Sequence, residues 1–232
     1  LAADLRARGL GAFARVIVTP DLGAGFPVLL QSAGLGPIRP NTVLLNWFDQ
    51  ESRQDQPGLA SYGSYLRSAL RFGCNVVLLE ATLAEIKALE GMRPSKRRID
   101  VWWRGDASSR LCLLLAYLMT RTGDWDGASI RLIAPAEADA DAASLATELE
   151  ELLADVRIEA EPLVVPGISR HALIEGSSDA ALVLVPFRLK DTQPLDFYGQ
   201  PFGTSLEELP VVGLVRAASD MDLDSHPDEG RR

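Results

Sequence analysis

Short apolar runs recur along this chain, separated by stretches whose apolar residues fall at helical spacing. Residues 1–8 have a helical pattern that Gly9 and Gly11 stop. Ala14-Arg15-Val16-Ile17-Val18-Thr19 is β-branched and compact, which predicts a strand. Pro20 to Gly25 reads as a loop, and Pro27 suits the first position of a helix over Val28 to Ala33. Thr42 to Trp47 is apolar almost throughout, the pattern of a strand buried on both faces of a parallel sheet. Tyr62, Tyr65, Leu66 and Leu70 give a helix over Leu59 to Phe72, with Gly73 as its C-cap. Asn75 to Leu79 is the next strand. Thr82, with Glu85 three residues on, has the spacing of a capping box for a helix over Leu83 to Leu89.

A basic, proline-containing connector follows from Gly91 to Arg98. Beyond it, Ile99 to Trp103 reads as a strand and Leu111 to Arg121 as a deeply buried helix. Ser129 to Ala134 is a strand, and Ala142 to Ala154 an acidic amphipathic helix. Arg157 to Val165 alternates in part. Ala181 to Val185 and Val211 to Val215 close the pattern, and an Asp-rich tail begins at Ser219. Strands alternating with helices predict an α/β fold with mostly parallel sheets flanked by helices and right-handed crossovers. The connector divides the chain into two α/β subdomains, residues 1–92 and 97–217, followed by an acidic disordered tail, 218–232.

Composition narrows the function. The 232 residues are 47% hydrophobic and 24% charged, ordinary for a globular protein. The net charge of −9 and pI near 4.8 disfavour nucleic acid, whose phosphates need clustered Lys and Arg. Cys74 and Cys112 sit in apolar runs and read as buried small hydrophobes. No CxxC and no zinc spacing accompany the two histidines, so no metal or cofactor is expected. No apolar run reaches the roughly 18 residues that cross a bilayer. No signal peptide is visible, and the start at Leu1 reads as the edge of a fragment.

Candidate chemistry is thin. Gly23, Gly25, Gly34 and Gly36 invite a phosphate-loop reading, but neither GxxxxGK[ST] nor a strand–GxGxxG–helix unit is present. Turns that need positive φ explain them better. Gly203-Thr204, after the apolar strand ending at Pro186, is the candidate nucleotide contact. Its order resembles universal stress proteins, although Pro186-Phe187-Arg188-Leu189 stands where their first glycines belong. His171 and His226 are isolated and read as solvated. Asp100 and Asp106 bracket Trp102-Trp103-Arg104. A general acid–base pair is one reading. Strand-end hydrogen bonding by Asp100 and helix capping by Asp106 are the other. Tandem tryptophans on a strand send one ring to each face.

Ser32-Ala33-Gly34-Leu35-Gly36-Pro37-Ile38-Arg39-Pro40-Asn41-Thr42-Val43-Leu44-Leu45 and Ile99-Asp100-Val101-Trp102-Trp103 together resemble the cytoplasmic C-terminal domain of cation–chloride cotransporters, in a prokaryotic form. Leu111 to Leu118, Trp125, Ser129-Ile130-Arg131 and Arg157 to Glu161 extend the likeness over most of Phe13 to Arg216. Gly34, Gly36, Pro40, Asn41, Thr42, Asp100, Trp102 and Trp103 are its structural signature residues. The resemblance implies two subdomains related in fold to universal stress proteins. It also implies an upstream transmembrane domain as partner, a homodimer, and a place on the cytoplasmic side of the cell membrane. The expected function is regulation and dimerisation of a secondary transporter that symports chloride with potassium and/or sodium, without enzymatic activity. The segment between Val165 and Ala181 is shorter than the family's phosphorylatable insert, and the family's first strand would precede Leu1. A free-standing nucleotide-binding protein of the universal stress type is the alternative.

Overall fold

The computed structural model describes residues 16–34, 39–47, 59–136, 141–167, 169–196, 198–200 and 208–221, with single positions near the termini (7, 9, 11, 12 and 223). Two compact units divide between Pro40 and Asn41.

The first unit contains α1, Leu22–Ala33. It begins five residues before Pro27, where a loop is expected. Asp21 decides this, because its carboxylate accepts from the Ala24 amide at 2.8 Å and caps the first turn. Residues 16–19 form no strand, in contrast to the expectation for Ala14 to Thr19. A β-branched run becomes a strand only when a neighbour pairs its backbone, and no ladder includes these residues. Val18 is 99% exposed.

The second unit is built on a seven-stranded sheet. Its elements are β1 (Thr42–Asn46), α2 (Leu59–Arg71), β2 (Asn75–Glu80), α3 (Leu83–Gly91), β3 (Arg98–Trp102), α4 (Ala107–Thr120), β4 (Ser129–Ala136), α5 (Ala142–Asp155), β5 (Glu161–Pro166), α6 (Arg170–Ser177), β6 (Leu182–Pro186), a hairpin of β7 (Arg188–Lys190) and β8 (Gln193–Leu195), and β9 (Val212–Arg216). The order across the sheet is β1-β2-β9-β6-β3-β4-β5. All neighbours are parallel except β2 and β9, which run antiparallel. Strands from both sides of the connector, which carries a short 3-10 turn at Pro94–Lys96, therefore enter one sheet. Met221 and Leu223 pack back onto the core, and residues 224–232 lie outside the described residues.

The core follows from strand alternation. Ile99, Val101 and Trp103 of the β3 region meet Leu111, Cys112 and Ala116 of α4 and Leu149 and Leu153 of α5 on one face. Ile86 and Leu89 of α3 join them. Asp100 and Trp102 turn to the other face, under α6. Helix α4 is apolar from Leu111 to Met119 but buries one face only: Leu113 is fully buried, whereas Leu118 is 51% exposed. The capping box forms as its spacing predicts, with Glu85 N donating to Thr82 Oγ1 at 3.2 Å and Thr82 N to Glu85 Oε2 at 2.6 Å.

Candidate functional site

The second signature is a buried charge cluster at the centre of the sheet. Asp100 is completely buried. Its Oδ1 accepts from Arg98 Nε at 2.9 Å and from Arg131 Nε at 3.1 Å, and its Oδ2 from Arg131 Nη2 at 2.6 Å. It thus lies inside the ladder between two guanidiniums and serves no strand-end donor. Arg131 also donates to the Gly176 carbonyl, and Arg98 reaches Asp179 beyond α6. The Arg98 hydrogen bond holds the Asp179 carboxyl below its usual value. Trp102 Nε1 donates to Ser177 Oγ at 3.1 Å, and a side chain at Gly176 would stand 3.6 Å from the Trp102 ring. Asp100 and Trp102 together seat the C-terminal end of α6, while Trp103 fills the opposite core. Both rings are buried.

Asp106 takes the capping role. Its Oδ1 accepts from the Ser109 amide at 2.8 Å and from Ser109 Oγ at 2.9 Å, so this oxygen already carries two hydrogen bonds.

The first signature is structural where it is described. Gly34 closes α1, donating its amide to Leu30 and Gln31 carbonyls at 3.2 and 3.1 Å. Its φ is −77°, so the positive φ expected there is absent. Gly23 and Gly25 lie inside α1 rather than in a turn. Asn41 opens the sheet by accepting from the Asn75 amide at 2.7 Å, and Thr42 Oγ1 donates to Asn41 Oδ1 at 3.0 Å. Gly36, Gly203, Thr204 and His226 lie outside the described residues. His171 sits exposed on α6, 3.0 Å from Glu175. Cys74 and Cys112 are buried, and burial pushes the Cys112 thiol well up.

A knot that sequence reasoning missed surrounds Arg97. This buried guanidinium donates to the carbonyls of Leu89 and Met92 at the end of α3 and of Asp124, and stacks on Trp125 at 5.3 Å. Among the described residues no group of three or more His, Cys, Asp or Glu is placed to hold a metal. A cleft of about 680 Å³ opens beside Tyr117, Arg121, Asp126, Arg157 and Glu161, at the N-terminal ends of β4 and β5.

Comparison with known proteins settles the family. The family model for solute carrier family 12 matches residues 2–84 and 80–200. The chain belongs to solute carrier family 12. Cation-chloride cotransporter 1 of Arabidopsis thaliana is 28% identical over 170 residues, covering 71% of this chain and 17% of that protein. Potassium/chloride cotransporter 3 of Caenorhabditis elegans is 30% identical over 140 residues, covering 59% and 12%. This solute carrier family 12 chain therefore spans less than a fifth of these relatives. Its fold matches the crystal structure of the cytoplasmic domain of a prokaryotic cation chloride cotransporter, with a TM-score of 0.62 and 16% identity over 93% of this chain and 77% of that one. Among the described residues, no helix is long and apolar enough to cross a membrane.

Proposed function

We propose that this chain is a cytosolic regulatory and dimerisation domain of a transporter that symports chloride with potassium and/or sodium, its partners being a membrane domain of the same protein and a second copy of itself. The observation that carries the reading is the family match across residues 2–200, joined to a fold shared with a cotransporter's cytoplasmic domain. The signature residues read from the sequence support it, because they act as framework. Asp100, Trp102 and Trp103 seat helices on the sheet, and Asn41 starts it. A framework of this kind transmits the position of one element to another and needs no catalytic group, and we propose none.

The test has two readouts. Chloride-dependent rubidium or sodium uptake is measured in cells expressing the transporter gene with this segment intact, deleted, or carrying Asp100→Asn. Sedimentation of the isolated chain reports its association state. Altered uptake on deletion at unchanged surface expression, together with a dimer in solution, is expected. Unaltered uptake sinks the regulatory reading, and a monomer both in isolation and in the full transporter sinks the dimer.

A further inference from the structure

The cleft beside the end of α4 opens at the amino ends of β4 and β5 and holds about 680 Å³. Clefts of roughly 300–1,000 Å³ with apolar walls and a few placed polar groups are where small molecules bind. Strand register supplies the floor. Arg131 pairs with Glu161, so one step back sets Ile130 beside Ala160 on the neighbouring strand. Ile130 belongs to the hydrophobic core, and Ala128, Ala160 and Tyr117, all half-buried, pack against the same cluster. Ser129, Glu159 and Glu161 alternate with them and are exposed. The cleft therefore reaches the rim of the core.

Two guanidiniums line it as well. Arg121, directly after α4, lies over the Tyr117 ring at 5.1 Å. Stacking occupies the face of its plane and leaves the N–H edge free to bind. Arg157 follows α5 with a φ of 56°. Its amide donates to the Ala154 carbonyl at 3.2 Å, and that of Ile158 to the Leu153 carbonyl at 3.1 Å. This is the helix ending that favours glycine, because a side chain strains the left-handed backbone. The chain thus keeps a half-buried cation where glycine would fit more easily. Among the described residues, neither guanidinium forms a hydrogen bond or an ion pair.

We propose that this cleft binds a small apolar monocarboxylate. Arg121 and Arg157 hold the carboxylate, and the hydrocarbon body lies on Tyr117, Ala128, Ile130 and Ala160. A guanidinium fork matches the two oxygens of a carboxylate. Asp126, Glu159 and Glu161 also border the cleft and are exposed, so their charge disfavours a doubly charged anion such as phosphate. The site goes beyond the transport role and stands or falls without it.

The experiment is ligand-observed NMR titration of the full chain with benzoate, octanoate, benzamide and inorganic phosphate. The wild type, Arg157→Gly, Arg121→Gln and Arg110→Gln are compared, with melting temperatures measured in parallel. Arg110 is a control, since it pairs at 3.7 Å with Asp220 and does not line the cleft. Benzoate or octanoate is expected to bind the wild type and Arg110→Gln. Benzamide, which lacks the charge, and phosphate, which lacks the apolar body, should bind at least about tenfold more weakly. Arg157→Gly and Arg121→Gln should each weaken the carboxylate about tenfold or more, the effect of losing a charged hydrogen bond. Arg157→Gly should keep or raise the melting temperature, because glycine relieves the left-handed backbone. Its lost binding is then not lost folding, and Arg121→Gln, on an exposed residue, gives a second reading. Preference for benzoate identifies an aromatic acid, and preference for octanoate a fatty acid. Failure of both carboxylates to bind the wild type, equal binding of benzamide or phosphate, or carboxylate binding unchanged by Arg157→Gly overturns the proposal.

Discussion

Asp100 shows how one residue in a strand serves the architecture. A carboxylate with no exposed surface is tolerable only because Arg98 and Arg131 both donate to it. Asp100→Asn keeps the shape and removes the charge, leaving two guanidiniums without their shared partner. We expect a loss of about 3–5 kcal/mol in urea unfolding, the range for breaking a buried pair from one side. Asp179→Asn is the contrasting variant, because that carboxylate is 73% exposed and solvent screens it. Its loss should stay below about 1 kcal/mol. The motif around Asp100 was readable in the sequence, but its role was not. Arg98 is two residues away, whereas Arg131 and Gly176 come from a different strand and a helix far along the chain.

Elements were legible in proportion to their periodicity. The capping box, Gly73 at positive φ after α2, and most strands of the second unit stand where apolar spacing and cap residues set them. Helix α6 escaped notice because its segment is polar, although Ser169 caps it by accepting from the Ala172 amide at 3.0 Å. The β7–β8 hairpin was also missed, since its strands are three residues each and one contains Pro194. That hairpin has a specific seat on α2. Arg67 Nε donates to the Asp191 carbonyl at 3.0 Å, and a Cβ at Gly63 would stand 1.7 Å from the Thr192 carbonyl oxygen. Helix propensity alone makes Gly63→Ala stabilising by up to about 1 kcal/mol. The backbone clash reverses the sign, and we expect a net loss of roughly 1–3 kcal/mol. Thermal unfolding decides it, and a raised melting temperature would disprove the close seat.

For the molecule as a whole, two tyrosines predict the alkaline limit. Tyr62 donates its hydroxyl to the Asn46 carbonyl at 2.7 Å and Tyr198 to the Ser169 carbonyl at 2.6 Å. Burial first, with Glu80 and Asp196 second, raises both phenols above their ordinary value. A folded-state pKa above the unfolded one means that this stability is complete below about pH 10 and is lost as pH rises beyond it. The urea midpoint should therefore fall as pH rises from about 10 to about 12, and Tyr62→Phe should flatten that fall. A pH-independent midpoint across this range would refute the assignment.

The slot between β2 and β6 has a consequence for synthesis. β9 comes last in sequence among the seven strands yet sits third across the sheet, antiparallel to β2 and parallel to β6. Until Val212 to Arg216 leaves the ribosome, β2 and β6 each present a raw edge. Exposed strand edges recruit strands from other chains. A premature stop just before Val212 removes little of the described mass but leaves both edges open. The truncated product should sediment with the insoluble fraction, whereas a stop after Leu223 should leave the protein in the supernatant. Closure of the sheet is thereby tied to the arrival of β9.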